Sequence, residues 1–332
     1  MTIPATIPDA LARAVEAASR RLGSGVASVG RAGDHHRGTP GSARRVARTV
    51  LADGRLVAVK VGTRGNSPAR EAATLRFLHD RGASVAQPLA WGDDGDGWLA
   101  TAWAGDVTLD AALAPSGAPV EAIGLGLVEA LATVEAAFAP RTAGGAPTRA
   151  VMMARGLLAP WVEAAPPALA WLGVEARWAS AACVAAFGEA AMASPLSVGP
   201  LDYHAGNIVT GAPMTIVDLA NVGWDWPARR LAQYAFATGS NAGATFRSAL
   251  RAPPVVEAAA STLAMVHGGS HLLWSEAIVA HALLLVATAA WHLRHVATGR
   301  ADPERAASWG DVDRRRASLR AVADELRALL EQ

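Results

Sequence analysis

The sequence contains the loop Leu201-Asp202-Tyr203-His204-Ala205-Gly206-Asn207, followed by the apolar segment Met214-Thr215-Ile216-Val217-Asp218. This region interrupts a part of the chain whose Ala- and Leu-rich periodicity otherwise predicts helices. Asp202 and Asn207 lie five residues apart in a glycine-containing loop, and Asp218 ends a short predicted strand eleven residues after Asn207. These three polar side chains are the first candidates for a functional site.

A second candidate stands far upstream, because Lys60 is the only lysine of the chain beside 29 arginines. In so arginine-rich a sequence, a solitary lysine indicates a position where a compact, rotatable charge is needed instead of a planar guanidinium. The segment Leu56–Val61 predicts an apolar strand that follows an Asp53-Gly54 turn. Lys60 is therefore a candidate for contact with phosphate; the alternative is an ordinary lysine on a surface strand.

The first third of the chain is rich in predicted strands. Strands are expected over 46–50, 56–61, 85–91 and 98–103, the last two joined by an acidic turn over 92–97 that we interpret as a hairpin. Pro68 opens a helix that Gly82 ends, and Glu71 falls in its first turn. The Gly-, Arg- and Ser-rich stretch from Gly30 to Arg48 predicts a mobile loop, and it matches neither a P-loop nor a Rossmann glycine motif.

Beyond Gly105 the pattern becomes helical. Helices are predicted over 120–138, 150–162, 174–193, 255–265, 275–295 and 313–330. Strands followed by helices predict an α+β fold of two lobes with a cleft between them, an N-terminal strand-rich lobe over residues 1–105 and a helical lobe over 106–332. With 332 residues, 52% of them hydrophobic, the chain is long enough for both lobes to have a core.

Composition narrows the class of protein. The first 105 residues carry 14 Lys and Arg against 9 Asp and Glu, and the remainder carries 16 against 20, which suits a polyanionic ligand held by the first lobe. The single cysteine, Cys183, excludes an intramolecular disulfide and predicts a reducing cytoplasm. The longest uncharged apolar run, 277–291, is shorter than the ~18 residues that a membrane span needs. Without a basic stripe interleaved with aromatic residues, nucleic acid is not an expected partner, and neither is a membrane.

Taken together, these elements resemble the aminoglycoside phosphotransferase and choline-kinase-like branch of the protein-kinase-like superfamily. The usual loop of that branch is His-Gly-Asp-Leu-His-x-Gly-Asn, which Asp202, His204, Gly206 and Asn207 match in register. The resemblance spans roughly residues 46–234. It implies a bilobal protein-kinase-like fold with a small antiparallel β-sheet in the N-lobe and a mostly helical C-lobe.

The resemblance also implies roles for the site residues. Lys60 would contact the phosphates of ATP or GTP and be oriented by Glu71. Asp218 and Asn207 would hold Mg²⁺ through oxygen ligands, and Asp202 would accept or orient the proton of the acceptor hydroxyl.

Backbone groups of the hinge, including those of Ala102 and Ala104, would meet the purine. The implied activity is transfer of the γ-phosphate to a hydroxyl of a small molecule or natural product.

Three departures from the family pattern keep alternatives open. Pro200 and Leu201 replace the usual His-Gly, and Arg230 stands where an aspartate often ties the next helix to the loop. Asp225 could substitute for that aspartate, or the tie could be absent. The alternatives are a pseudokinase or scaffold that binds nucleotide without turnover, and a kinase acting on Ser or Thr of a peptide or protein.

Other candidate side chains are interpreted as structural. His292 and His295, one helical turn apart, are expected on an exposed helix face and not at a metal. His35 and His36 are expected to be solvated. The tryptophans beyond Gly105 are expected to be core residues, although Trp224 and Trp226 could face the acceptor. The acidic excess of this lobe is small, which favours an acceptor that is less cationic than an aminoglycoside.

Overall fold

A computed structural model describes residues 7–31, 45–62, 67–93, 95–238, 245–302 and 309–331. Most of the loop predicted between Gly30 and Arg48 lies outside these ranges, as do His35 and His36. The helices are α1 (Asp9–Arg21), α2 (Pro68–His79), α3 (Leu109–Leu113), α4 (Val120–Thr142), α5 (Thr148–Leu172), α6 (Ala181–Ala193), α7 (Pro227–Tyr234), α8 (Pro253–His267), α9 (His271–Ala297) and α10 (Val312–Leu330). The strands are β1 (Val26–Arg31), β2 (Val46–Leu51), β3 (Leu56–Val61), β4 (Pro88–Gly92), β5 (Trp98–Ala102), β6 (Ser197–Pro200), β7 (Ile208–Val209), β8 (Thr215–Ile216), β9 (Val222–Asp225), β10 (Phe236–Ala237) and β11 (Arg247–Ser248).

The N-lobe is a five-stranded antiparallel sheet with the strand order β1-β2-β3-β5-β4. Side chains alternate between the two faces of a strand, so Val57 and Val59 of β3 are buried against α1, where Leu11 and Val15 meet them. The same alternation directs Ala58 and Lys60 to the opposite face, where they line a cleft. The small antiparallel sheet predicted from the sequence is confirmed.

Helix α2 lies next to β4 and β5 and begins where the sequence predicts it. The Ser67 side chain accepts a hydrogen bond from the backbone N–H of Arg70, and Pro68 occupies the first turn, where a missing N–H is tolerated. Glu71 and Leu75 are buried on the inner side of the helix. The start of α2 thus sets where the Glu71 carboxylate meets the sheet.

The C-lobe is built around α9, which packs against α5, α6, α7, α8 and α10. Helices α4 and α9 are long and apolar enough, by length and composition, to cross a membrane, but more than half of each most apolar window is buried inside the fold. Such burial is typical of core helices in a globular protein. The helical content and the sheet together give the expected bilobal α+β fold.

Backbone contacts join the two lobes on both sides of the cleft. Ile216 accepts a hydrogen bond from the N–H of Ala86 at 3.1 Å, and its own N–H donates to Ser84 at 2.8 Å. Gly105, just beyond β5, has φ +137°, and a Cβ there would lie 2.9 Å from Cγ1 of Val209. Only glycine fits this position without strain, since both the backbone angle and the close approach exclude a side chain. Gly105 is also where the sequence predicts the domain boundary, which stays a prediction.

Two helix boundaries differ from the predictions by more than four residues. Helix α5 continues to Leu172, well past the predicted end at Val162, although it contains Pro160, Pro166 and Pro167. It ends at Gly173, whose left-handed φ of 87° stops the helix. The next helix starts at Ala181 instead of Val174, because the Ser180 side chain caps it.

Arg230 is fully buried and forms an ion pair with Glu135 of α4, its Nε 2.7 Å from Glu135 Oε1. Arg230 also donates to the Ser197 side chain and to the carbonyls of Ser197 and Asp225, and His267 lies 3.0 Å from Glu135 Oε2. A side chain at Gly199 would overlap the Arg230 guanidinium, since its Cβ would lie 2.6 Å from Cζ. Burial raises the pKa of Glu135, but Arg230 and His267 outweigh it and hold that pKa at about 2.

We expect Glu135→Gln to lower the free energy of unfolding by about 3 to 5 kcal/mol at pH 7, because it leaves the buried Arg230 charge unpaired. The folded-state pKa of Glu135 is depressed from 4.5, so its contribution is present above pH 4.5 and is lost as the pH falls towards 2. Denaturant unfolding should therefore show a difference in the free energy of unfolding between wild type and variant, and this difference should become smaller as the pH falls from 4.5 towards 2. Glu129→Gln, at an exposed position of the same helix, is the control and should unfold like wild type. A difference in the free energy of unfolding that stays constant from pH 7 to pH 2.5 would contradict the assignment of the low pKa to Glu135.

Candidate active site

The centre of the site is the Lys60 ammonium, which two carboxylates share. Lys60 Nζ lies 3.0 Å from Glu71 Oε2 and 2.5 Å from Asp218 Oδ1. The three groups come from β3, from the first turn of α2 and from the segment after β8, so the sheet, its helix and the C-lobe meet at one cation. The structure therefore brings together residues that are far apart in the sequence, since Lys60 and Asp218 are separated by 158 positions.

The electrostatics of this cluster favour a charged lysine. Burial lowers the pKa of the Lys60 ammonium, but Glu71 and Asp218 outweigh it and raise that pKa above its ordinary value. Burial and the nearby Asp218 carboxylate raise the pKa of Glu71, although Lys60 opposes them. One ammonium thus compensates two acids, which leaves the cluster with an excess of negative charge that suits a second cation.

Oxygen atoms suited to a divalent cation lie at the same place. The side-chain amide of Asn207 donates from Nδ2 to the backbone carbonyl of Asp202 at 3.0 Å, which leaves Oδ1 of Asn207 as its other polar atom. Asn207 and Asp218 line the same cleft, and only one carboxylate oxygen of Asp218 is engaged by Lys60. One neutral oxygen and one carboxylate oxygen are a donor set that fits Mg²⁺. Among the residues that the structure describes, no group of three or more His, Cys, Asp or Glu offers another metal site.

Asp218 has an unusual backbone, with a φ of 60°. In the described part of the chain it is the one residue other than glycine with a positive φ, a conformation that costs on the order of 1 kcal/mol or more. Hydrogen bonds hold the preceding residue in place, because the N–H of Val217 donates to the carbonyl of Asn207 at 2.9 Å. The fold thus imposes a strained angle to direct the Asp218 carboxylate towards Lys60.

The cleft between the lobes has a volume of about 110 Å³ and an apolar inner wall that includes Ala58, Leu75 and Leu99. Both predicted hinge residues line it. The N–H of Ala102 already donates to the Gln87 carbonyl at 2.9 Å, so Ala102 could meet a purine only through its carbonyl oxygen. Ala104, in contrast, has no backbone hydrogen-bond partner within the described ranges.

Tyr203, a residue that the sequence did not single out, supports the loop next to Asp202. Its hydroxyl donates to the Asp225 carboxylate, and both side chains are buried. Asp225 also accepts from the backbone N–H of Trp226 at 2.8 Å and pairs with Arg229 at 3.1 Å. Burial and the Asp225 charge raise the pKa of the Tyr203 hydroxyl, so it stays a donor. Asp225 thus contacts the loop through Tyr203, which supports the alternative in which Asp225 stands in for an aspartate at position 230.

A signal for Tyr203 was present in the sequence, because Tyr203 and Tyr234 are the only two tyrosines. They pack edge to face with ring centroids 6.1 Å apart. Tyr234 is fully buried as well, but its hydroxyl has no hydrogen-bond partner.

Two expectations about other side chains need correction. His292 and His295 are not on an exposed face; both are half-buried, and their rings lie 4.9 and 3.8 Å from that of Trp291. The rings of Trp161 and Trp309, from other parts of the chain, also lie near His292. Trp226 does not face the cleft either, because it is buried beside the ring of His281. Trp224 is half-buried.

Comparison with known families agrees with this geometry. Residues 40–253 match the model of the phosphotransferase enzyme family that includes the aminoglycoside phosphotransferases. This range covers more than half of the chain and contains Lys60, Glu71, Asp202, Asn207 and Asp218. The chain therefore belongs to this family, and it is a phosphotransferase.

Solved structures show the same fold at low sequence identity. An aminoglycoside phosphotransferase from Alicyclobacillus acidocaldarius superposes with a TM-score of 0.50 at 16% identity, over 88% of this chain and 91% of that one. A type I macrolide 2'-phosphotransferase gives 0.52 at 16% identity, over 93% and 97%. The GDP complex of an aminoglycoside 2'-phosphotransferase IIIa variant gives 0.53 at 13% identity, over 97% and 99%. No curated protein matches the sequence.

We expect Tyr203→Phe to lower kcat for phosphate transfer at least about tenfold with a smaller change in KM for the nucleotide, because the loop that carries Asp202 loses its tie to Asp225. The lost hydrogen bond should lower the free energy of unfolding by about 1 to 3 kcal/mol. Tyr234→Phe is the matched control, since it removes a buried hydroxyl that bonds to nothing. Equal effects of the two variants on kcat would show that the Tyr203 hydroxyl does not position the loop.

Proposed function

We propose that the protein transfers the γ-phosphate of Mg²⁺-ATP or Mg²⁺-GTP to a hydroxyl of a small molecule or natural product. The observation that supports this most directly is the shared ammonium of Lys60 between Glu71 and Asp218, in a cleft that also holds the amide of Asn207. Phosphoryl transfer asks little covalent chemistry of a protein. It requires that the triphosphate be positioned and its charge neutralised, which a cation and oxygen ligands at one point can do.

The nucleotide would lie along the cleft, with its base against Ala58 and Leu99 and near the free backbone groups of Ala104. Lys60 would donate to the phosphates, and its bond to Glu71 would hold the ammonium in place. Asp218 and Asn207 would hold Mg²⁺, which when bound neutralises charge on the phosphate oxygens. Lysine suits this position because its three donors rotate to follow oxygens that move during transfer, whereas a guanidinium presents a fixed plane.

Asp202 would orient the acceptor hydroxyl and take its proton. The acceptor oxygen forms a bond to the γ-phosphorus, and the bond from that phosphorus to the oxygen bridging to the β-phosphate breaks. The nucleoside diphosphate leaves with the electron pair, and the proton passes to the Asp202 carboxylate. The hydrogen bond from Asn207 to the Asp202 carbonyl fixes the distance between this base and the phosphate-binding groups.

An acceptor with little positive charge fits the described surroundings better than a polycation. Asp218 pairs with Lys60 and is assigned to Mg²⁺, and Asp225 pairs with Arg229, so Asp202 is the carboxylate that remains for the acceptor among these three. The related structures include a macrolide phosphotransferase as well as aminoglycoside phosphotransferases, so the fold itself accommodates chemically different acceptors. We also propose a cytoplasmic location, where nucleoside triphosphates are available, and neither nucleic acid nor a membrane as a partner.

The pseudokinase alternative rested on Pro200, Leu201 and Arg230. Arg230 does not weaken the loop, because it pairs with Glu135 and donates to the backbone carbonyl of Asp225, whose carboxylate accepts from Tyr203. The groups that contact nucleotide in the proposal are all in place. We therefore favour catalysis over a scaffold role.

Thermal unfolding with Mg²⁺-ATP and Mg²⁺-GTP should show stabilisation that depends on Mg²⁺ and is lost in Asp218→Ala. At about 100 times Kd, binding adds about 2.7 kcal/mol to the free energy of unfolding. Asp313→Ala, at the distant start of α10, is the control and should respond like wild type. If neither nucleotide stabilises wild type, the proposed nucleotide site is wrong.

Asp202→Asn should reduce turnover by about 10² to 10⁴, because it removes the base and keeps the shape. Nucleotide affinity and the unfolding midpoint should stay within error of wild type, since Asp202 is exposed and its backbone carbonyl, not its carboxylate, holds Asn207. Radiolabelled γ-phosphate followed into small-molecule and macromolecular fractions measures both rate and acceptor class. Turnover that survives the substitution would remove Asp202 from the base role.

A further inference from the structure

A second cavity, of about 480 Å³, opens onto Asp202. Its walls are Arg70 and Thr74 of α2, Leu201 of the loop and the segment 220–222. It shares no lining residue with the nucleotide cleft. Asp202 thus faces a space that the proposed nucleotide site leaves free.

Arg70 is the cationic side chain of this cavity. It is exposed, and none of the carboxylates in the described part of the chain lies within ion-pair distance of it. It also stands in the first turn of α2, where the helix dipole disfavours positive charge. Arg70 therefore contributes nothing evident to stability, unlike its neighbour Glu71, which is buried and pairs with Lys60.

The cavity carries two side chains of opposite charge, and the rest of its lining mixes polar and apolar residues. Asp202 is its one described carboxylate and Arg70 its one described cation, while Leu201 and Val222 add apolar surface. Leu201 is 43% exposed, at the position where the family usually has glycine. A guanidinium binds carboxylate and phosphate oxygens through two parallel hydrogen bonds. A hydroxyl compound with an anionic group matches this arrangement, and a polycation would meet Arg70 unfavourably.

We propose that Arg70 selects the acceptor by charge, holding a carboxylate or phosphate group of the acceptor while a hydroxyl of the same molecule faces Asp202. This inference rests on the proposed phosphotransfer and names the class of its acceptor. The reaction itself is unchanged: the hydroxyl oxygen gains the γ-phosphoryl group, its proton passes to Asp202, and the nucleoside diphosphate leaves. Arg70 takes no part in bond making and determines specificity only.

The test uses three probes, glucuronate, glucose and glucosamine, which share a hydroxylated ring and differ in charge. Calorimetric titration of the full chain should give the tightest binding for glucuronate and at least about tenfold weaker binding for glucosamine. Arg70→Gln should weaken glucuronate binding about tenfold or more and leave Mg²⁺-ADP affinity unchanged, and Arg70→Glu should reverse the order of the charged probes. Arg76→Gln, the same charge change on α2 at a residue that lies over the Trp91 ring, is the control.

Equal affinities for the three probes, no binding of glucuronate at 10 mM, or a loss of Mg²⁺-ADP affinity in Arg70→Gln would each overturn the proposal. The last outcome would assign Arg70 to the nucleotide instead. Failure of the phosphotransfer proposal has a different signature, because wild type would then bind neither Mg²⁺-ATP nor Mg²⁺-GTP while the dependence of glucuronate binding on Arg70 persisted.

Discussion

The architecture of the cleft depends on one cation shared by two anions. Lys60 holds Glu71 of the N-lobe and Asp218 of the C-lobe at hydrogen-bond distance, so the distance between the lobes at this point is set by a single side chain. A lysine that is mostly buried needs such partners, since an unpaired charge there would be costly. Removing any one of the three groups would leave the others uncompensated. This mutual dependence explains how a small sheet and a helical lobe with few backbone contacts between them present one continuous site.

In the C-lobe, a second set of buried charges supports the loop that carries Asp202. Glu135 and Arg230 join α4 to α7, Arg230 donates to the Asp225 carbonyl, and Asp225 accepts from Tyr203 beside Asp202. The connection from this ion pair to the loop passes through the hydrogen bond between Tyr203 and Asp225. A buried ion pair adds little net stability compared with apolar packing, but its geometry is demanding, and here it fixes the position of the loop.

A feature of the site could be predicted from the sequence when the pattern that indicates it spans only a few neighbouring residues. Lys60 could be placed by strand alternation, Glu71 by the start of a helix, and Asp202 with Asn207 by their spacing, because each pattern spans only a few residues. The contacts of Arg230 with Glu135 and of Tyr203 with Asp225 could not be predicted in this way. The partners are 95 and 22 residues apart, and the sequence around one residue does not indicate which residue it contacts. The same limit made the prediction for His292 and His295 wrong. Their surroundings include Trp161 and Trp309, which only the tertiary fold brings near His292.

The identity of Lys60 as the sole lysine has a consequence for the chemistry of the whole surface. Acylating agents and aldehydes react with neutral amines, which are nucleophiles. The one ε-amine of this chain is held as an ammonium between two carboxylates. The other basic side chains are guanidinium groups, which react far less readily because they stay protonated. Folded, the protein thus offers amine-directed reagents almost no ε-amine target. An adduct at Lys60 would therefore identify molecules in which the cleft had opened. Because Lys60 is the only lysine, the extent of lysine modification would measure how often the two lobes separate.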